Sequence, residues 1–131
     1  MPHLIIEYSA NVENDLQLDK MIETLHDVTA GIEAFPLAGL RTRGEKRTHY
    51  RIADGHPDNS FVHLTLKIGS GRELEVRQAA GEIIFDQLVS YLKPVSAERP
   101  LAISFEIQEL AEHTNYKTGN IRDYMAHRQS N

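Results

Sequence analysis

A chain of 131 residues, 40% of them hydrophobic, holds one core and buries roughly two thirds of its unfolded surface without covalent staples. The absence of cysteine excludes disulfides, thiolate metal sites and cysteine nucleophiles, and a net charge of −5 argues against a general nucleic-acid binder. No apolar run approaches the ~18 residues of a membrane span and no basic leader opens the chain, so a soluble cytoplasmic protein without membrane partners is expected.

Pro2 is followed at once by the apolar run His3-Leu4-Ile5-Ile6-Glu7-Tyr8, which reads as a strand over residues 3–8 with Leu4, Ile6 and Tyr8 on one side. By position alone, Pro2 has two readings. It fixes φ at the start of a strand, where no ladder hydrogen bond is lost. If Met1 is removed, it is also a free secondary amine whose pKa could be brought near neutrality by burial or a nearby cation, and so a general base.

Asn14-Asp15-Leu16-Gln17 carries the signature of a capped helix start, and Leu18, Met21, Ile22, Leu25, Val28 and Ile32 recur at helical spacing to about residue 33. Phe35-Pro36-Leu37-Ala38-Gly39 ends that helix. Residues 39–52 resume in extended form with a bend expected near Gly44. Along them Arg41, Arg43, Arg47, His49 and Arg51 occupy odd positions and would share one strand face, offering cations to a small anion, to an acidic neighbouring subunit, or simply to solvent at a sheet edge. The turn formers of residues 53–59 close the first half.

The second half repeats the plan. Val62, Leu64, Leu66 and Ile68 alternate along a strand over residues 61–68, and Ser70-Gly71-Arg72-Glu73 reads as a capping box. Val76, Ala80, Ile84, Leu88 and Leu92 then trace a helical stripe to Lys93, with Pro94 as its stop. Leu101, Ile103, Phe105 and Ile107 make another apolar strand face. Pro2-His3-Leu4 aligns with Val62-His63-Leu64, and Pro36-Leu37-Ala38 with Pro100-Leu101-Ala102. The fold class is therefore α+β: one domain over residues 1–131, built from two β-α-β repeats at about 2–52 and 61–108. These form a four-stranded mixed sheet with both helices on one face. The opposite face, with His3, Ile5, Glu7, Phe61, His63 and Thr65, is half apolar and calls for a partner, so a homo-oligomer is expected, and the polar residues 109–131 read as an arm lying on a neighbour.

Few residues can carry chemistry. Gly69-Ser70-Gly71-Arg72 places backbone amides and a guanidinium at a helix start, suited to a carboxylate or phosphate. The seven histidines form no metal-ligand spacing, and no serine-hydrolase, Walker or dinucleotide motif occurs, so neither metal nor cofactor is implied.

Five segments taken together are more specific than any of these features. Pro2-His3-x-Ile5, Phe35 to Arg43, Phe61 to Arg72, Arg77-Gln78-x-Ala80-Gly81-Glu82 and Ser104-Phe105-Glu106-Ile107-x-Glu109-Leu110 resemble the 5-carboxymethyl-2-hydroxymuconate isomerase family of the tautomerase superfamily, from residue 2 to about 120. The resemblance implies a homotrimer of double β-α-β subunits acting in homoprotocatechuate (4-hydroxyphenylacetate) breakdown. The amino-terminal proline moves a proton between carbons of a dienoic di- or tricarboxylic acid, without cofactor or metal. On this chain it makes Pro2 the base and then the acid, and Arg41 and Arg72 the substrate-binding cations, with Arg43 and Phe35 in the same pocket. A tautomerase acting on another enol, or a non-catalytic trimeric anion-binding protein, would share the same framework.

Overall fold

The computed structural model describes residues 1–129. Strand β1 (His3–Ser9) leads through a single 3-10 turn into the short helix α1 (Glu13–Leu16) and then α2 (Leu18–Ala30). A second 3-10 turn at Leu37–Gly39 precedes β2 (Arg41–Arg47). After a long turn come β3 (Ser60–Ile68), α3 (Leu74–Glu98), β4 (Leu101–Glu109) and the terminal α4 (Ile121–Gln129).

The strands lie in the order β2-β1-β3-β4, with both outer pairs parallel and the central pair antiparallel. This is the mixed sheet expected from two β-α-β units. In the central pair Ile5 faces Thr65 and His3 faces Lys67, so the repeats meet about a pseudo-two-fold axis at Ile5 and Thr65. The period-two pattern decides which face is covered. Leu4, Ile6 and Tyr8 of β1 and Val62, Leu64, Leu66 and Ile68 of β3 are at most 3% exposed, packed with Met21 and Leu25 of α2 and Ala80, Ile84, Leu88 and Leu92 of α3 in one core. The alternate residues His3, Ile5, Glu7, Phe61, His63 and Thr65 are half-buried on a face without helices. On β4, Leu101, Ile103, Phe105 and Ile107 are also only half-buried, because an edge strand has neighbours on one side.

Local signals diverge from the structure at identifiable points. Neither expected capping box forms: Gln17 and Glu73 stand at the N-caps of α2 and α3 without a side-chain cap. Gln17 adopts φ 49°, ψ 64°, which breaks the first helix in two, and the Tyr91 hydroxyl secures the break by donating to the Leu16 carbonyl at 2.7 Å. Helix α2 ends at Ala30, earlier than the apolar spacing suggests, where the Gly31 N–H closes on the Asp27 carbonyl. Pro94 does not stop α3. The helix continues to Glu98 because Val95, beyond the proline, extends the buried stripe into the core. Strand β2 runs through Gly44 without interruption, and the glycine serves packing instead, since a Cβ there would stand 2.9 Å from Leu18 Cδ2. His49 and Arg51 lie beyond the end of β2 and leave the row of cations.

Residues 110–120 and α4 return toward the Leu37–Gly39 turn of their own chain, almost entirely exposed. The last two residues of the expected arm, 130 and 131, lie outside the described residues.

Candidate active site

The start of β1 is pinned between the two ends of the first repeat's return. Pro2 is buried, its carbonyl accepting the Arg41 N–H at 3.1 Å. On the other side stands Gly39, where an added Cβ would lie 3.4 Å from Pro2 Cδ and from Met1 Cα. The sequence Leu37-Ala38-Gly39 thus lets the chain turn tightly beside the amino terminus. In this structure Met1 is attached, so the Pro2 nitrogen is an amide and the free amine belongs to Met1.

Arg41 reaches past this point from β2. Its Nη1 lies 3.2 Å from His3 Nε2, and its Nη2 donates to Met1 Sδ at 3.5 Å. Arg43 approaches the other ring nitrogen of His3, Nη1 to Nδ1, at 3.2 Å. A neutral imidazole accepts at only one nitrogen, and a protonated one would place a third cation between two guanidiniums. Burial, then the charges of Arg41 and Arg43, lower the His3 pKa and hold the ring neutral.

Arg72 is held from beneath. Its Nη2 donates to the Ala34 carbonyl at 2.7 Å, its Nη1 to the Gly69 carbonyl at 3.1 Å, and its guanidinium lies 5.4 Å from the centre of the buried Phe35 ring. Phe35 is 1% exposed, so it acts as a platform under the cation and has no open wall of its own. The glycine turn before α3 differs from the expected free anion cradle. Gly71, at φ 107°, gives its N–H to the Glu109 carboxylate at 3.1 Å, so the chain's own acid holds that amide.

Two cavities open at the amino terminus. One, of about 470 Å³, is lined by Met1, Ala38, Gly39, Arg41 and residues 117–122, and the other, of about 300 Å³, by Met1, His3, Arg41, Leu110 and residues 115–118. They share Met1, Arg41, Lys117 and Thr118, so the two meet at the amino-terminal residue. Burial and the positive charge of Lys117 lower the pKa of the terminal amine, with further contributions from Arg72 and Arg41. An amine in this place gives up its proton more readily than one in water.

Of the residues singled out from sequence, Arg41 lines both cavities, Pro2 is buried beside it and lines neither, Arg72 acts on the amine through its charge and rests on Phe35, and Arg43 stays exposed beside His3. Sequence reasoning missed Lys117, which is in an irregular segment without periodicity; His3 stands on the sheet face where the sequence put it and also lines the smaller cavity. His63 does have a partner of its own, the Ser104 hydroxyl at 2.6 Å. Among the described residues, no three His, Asp or Glu side chains converge as metal ligands, and no helix is long and apolar enough to cross a membrane.

A double β-α-β subunit with a basic pocket around its amino terminus matches the framework that the resemblance to the tautomerase superfamily implied. The fold alone is shared with distant solved structures such as the macrophage migration inhibitory factor-like protein of Entamoeba histolytica (14% identity, TM-score 0.62, covering 90% of this chain and 95% of that one). Closer relations define the family. The family model described as 5-carboxymethyl-2-hydroxymuconate isomerase matches residues 2–125. The 5-carboxymethyl-2-hydroxymuconate Delta-isomerase of Escherichia coli is 40% identical over 121 residues, 92% of this chain and 96% of the relative. The crystal structure of a 5-carboxymethyl-2-hydroxymuconate isomerase from Deinococcus radiodurans R1 superposes with a TM-score of 0.87 at 34% identity, covering 95% of this chain and 93% of that one. The chain belongs to the 5-carboxymethyl-2-hydroxymuconate isomerase family and is an isomerase.

Proposed function

We propose that this isomerase acts on 5-carboxymethyl-2-hydroxymuconate in homoprotocatechuate breakdown, with Pro2, freed by loss of Met1, as its base and acid. The observation that carries the reading is the placement of the amino terminus. The amine sits at two cavities, beside Arg41 and Lys117, where its pKa is lowered. Removing Met1 would move the free amine to Pro2, join the two cavities above it, and release Arg41 Nη2 from the Met1 sulfur.

The reaction then needs only these groups. The neutral amine takes a proton from the conjugated acid, leaving a dienolate with its negative charge spread onto oxygen. The ammonium so formed returns the proton to a different carbon, and no electrons are gained or lost. Arg41 holds a carboxylate, and the charges of Arg41 and Arg72 together stabilise the dienolate; the same charges favour the neutral amine, so binding and activation come from one set of residues. Arg43 keeps His3 oriented toward Arg41, and Phe35 fixes the height of Arg72. The half-buried sheet face, which carries Ile5 and Phe61 among charged residues, supports assembly as a homotrimer.

The test is conversion of 5-carboxymethyl-2-hydroxymuconate followed by ultraviolet absorbance, with protein of measured intact mass. Turnover by the Met1-free form and its absence in a form that retains Met1 is expected. Equal turnover by both would refute the role of the proline amine. No turnover by either would point to another enol substrate or to an anion-binding protein.

A further inference from the structure

The acid named for this family carries three carboxylates: the two of the muconate chain and one on its carboxymethyl arm. The arginines do not supply three cations to the cavities. Arg41 lines both and Arg122 lines the larger one, but Arg72 lines neither and has two of its donors committed to the Gly69 and Ala34 carbonyls. Arg43 lines neither and is turned to His3.

Lys117 fills the gap. It is the second cation common to both cavities, contributed by the segment between β4 and α4. Among the described residues no carboxylate is paired with it, and its positive charge acts directly on the terminal amine. Two amino groups so close repel one another when both are charged, and an anion placed between Lys117 and Arg41 removes that penalty.

We propose that Lys117 is a substrate-binding residue that takes one of the three carboxylates and thereby sets the preference of the site for a triacid over a diacid. The inference rests on the isomerase reading for the identity of the acid, though not for the existence of the site. It makes the polar segment after β4 a wall of the pocket contributed by residues outside both repeats. Substrate choice among relatives with the same β-α-β framework would then vary with this segment while the amine and Arg41 stay fixed. Because an ammonium is a point charge on a flexible stem, arginine can replace its charge and an apolar side chain of similar length cannot.

The experiment is calorimetric binding of two unreactive acids, propane-1,2,3-tricarboxylate and glutarate, to the Met1-free protein and to Lys117→Met and Lys117→Arg. The wild type is expected to bind the triacid at least about tenfold more tightly than the diacid, as one charge-assisted contact allows. Lys117→Met should erase that ratio with glutarate binding little changed, and Lys117→Arg should keep it. An unaltered ratio in Lys117→Met, or no preference in the wild type, would overturn the assignment. A preserved pattern in a protein without turnover would support the triacid site and refute the isomerase reading alone.

Discussion

Replacing Arg41 by alanine separates the binding role of the site from the integrity of the fold. The bond from the Arg41 N–H to the Pro2 carbonyl belongs to the backbone and survives the substitution, so the register of β1 against β2 is kept. What is lost is the guanidinium, which lines both cavities and among the described residues has His3 Nε2 and Met1 Sδ as its side-chain partners. A hydrogen bond between a guanidinium and a carboxylate contributes about 1.5–3 kcal/mol, equivalent to roughly 10- to 150-fold in kcat/KM. The contact exists in the bound ground state as well as in the transition state, so most of the loss should fall on KM. Arg41 also helps to lower the pKa of the amine, so the acid limb of the pH–kcat/KM profile should move to higher pH. The assay is steady-state isomerisation across pH, with circular dichroism as the control for folding. A kcat/KM within twofold of the wild type at every pH would refute the reasoning.

Other substitutions probe different layers. Leu64→Ala, at a fully buried position of the central strand pair, should cost about 2–5 kcal/mol in denaturant unfolding at fixed protein concentration. Gly39→Leu projects a side chain into the larger cavity beside Pro2 and should cut turnover by at least about tenfold, read from kcat/KM, without a comparable loss of stability. His3 has a lowered pKa in the fold, so acidification protonates the unfolded chain first. Its contribution to stability is full above the ordinary histidine range and is lost as pH falls through it. Thermal unfolding from about pH 7.5 to about pH 5 should therefore fall less steeply for His3→Gln than for the wild type.

The strands were legible because each keeps a strict period of two against a single core. Leu4, Ile6 and Tyr8, and Val62 through Ile68, leave no second register that would bury the same side chains. The alignment of Pro2-His3-Leu4 with Val62-His63-Leu64 matched β1 with β3, and the structure pairs these strands antiparallel about Ile5 and Thr65. Helix ends were less legible, because tertiary contacts outweighed local signals. The Tyr91 hydroxyl, contributed by α3, secures the break at Gln17, and burial of Val95 carries a helix through Pro94. In the candidate site, the resemblance of the Pro2, Arg41 and Arg72 segments pointed to residues that the fold gathers around one amine. Nothing local could reveal Glu109 on the Gly71 amide or Lys117 beside the amino terminus, since the first depends on the register of β4 against β3 and the second on where the segment after β4 returns.

The most direct test of the central claim is the kcat/KM of Met1-free Pro2→Ala for 5-carboxymethyl-2-hydroxymuconate, measured beside the wild type with both intact masses verified. Alanine leaves an amine at the terminus but removes the ring that fixes its direction, and a positioned base contributes about 10²- to 10⁴-fold. A loss of at least about 100-fold in a protein with unchanged circular dichroism is the expected result. Activity equal to the wild type would contradict the assignment of the amino-terminal proline as the group that moves the proton.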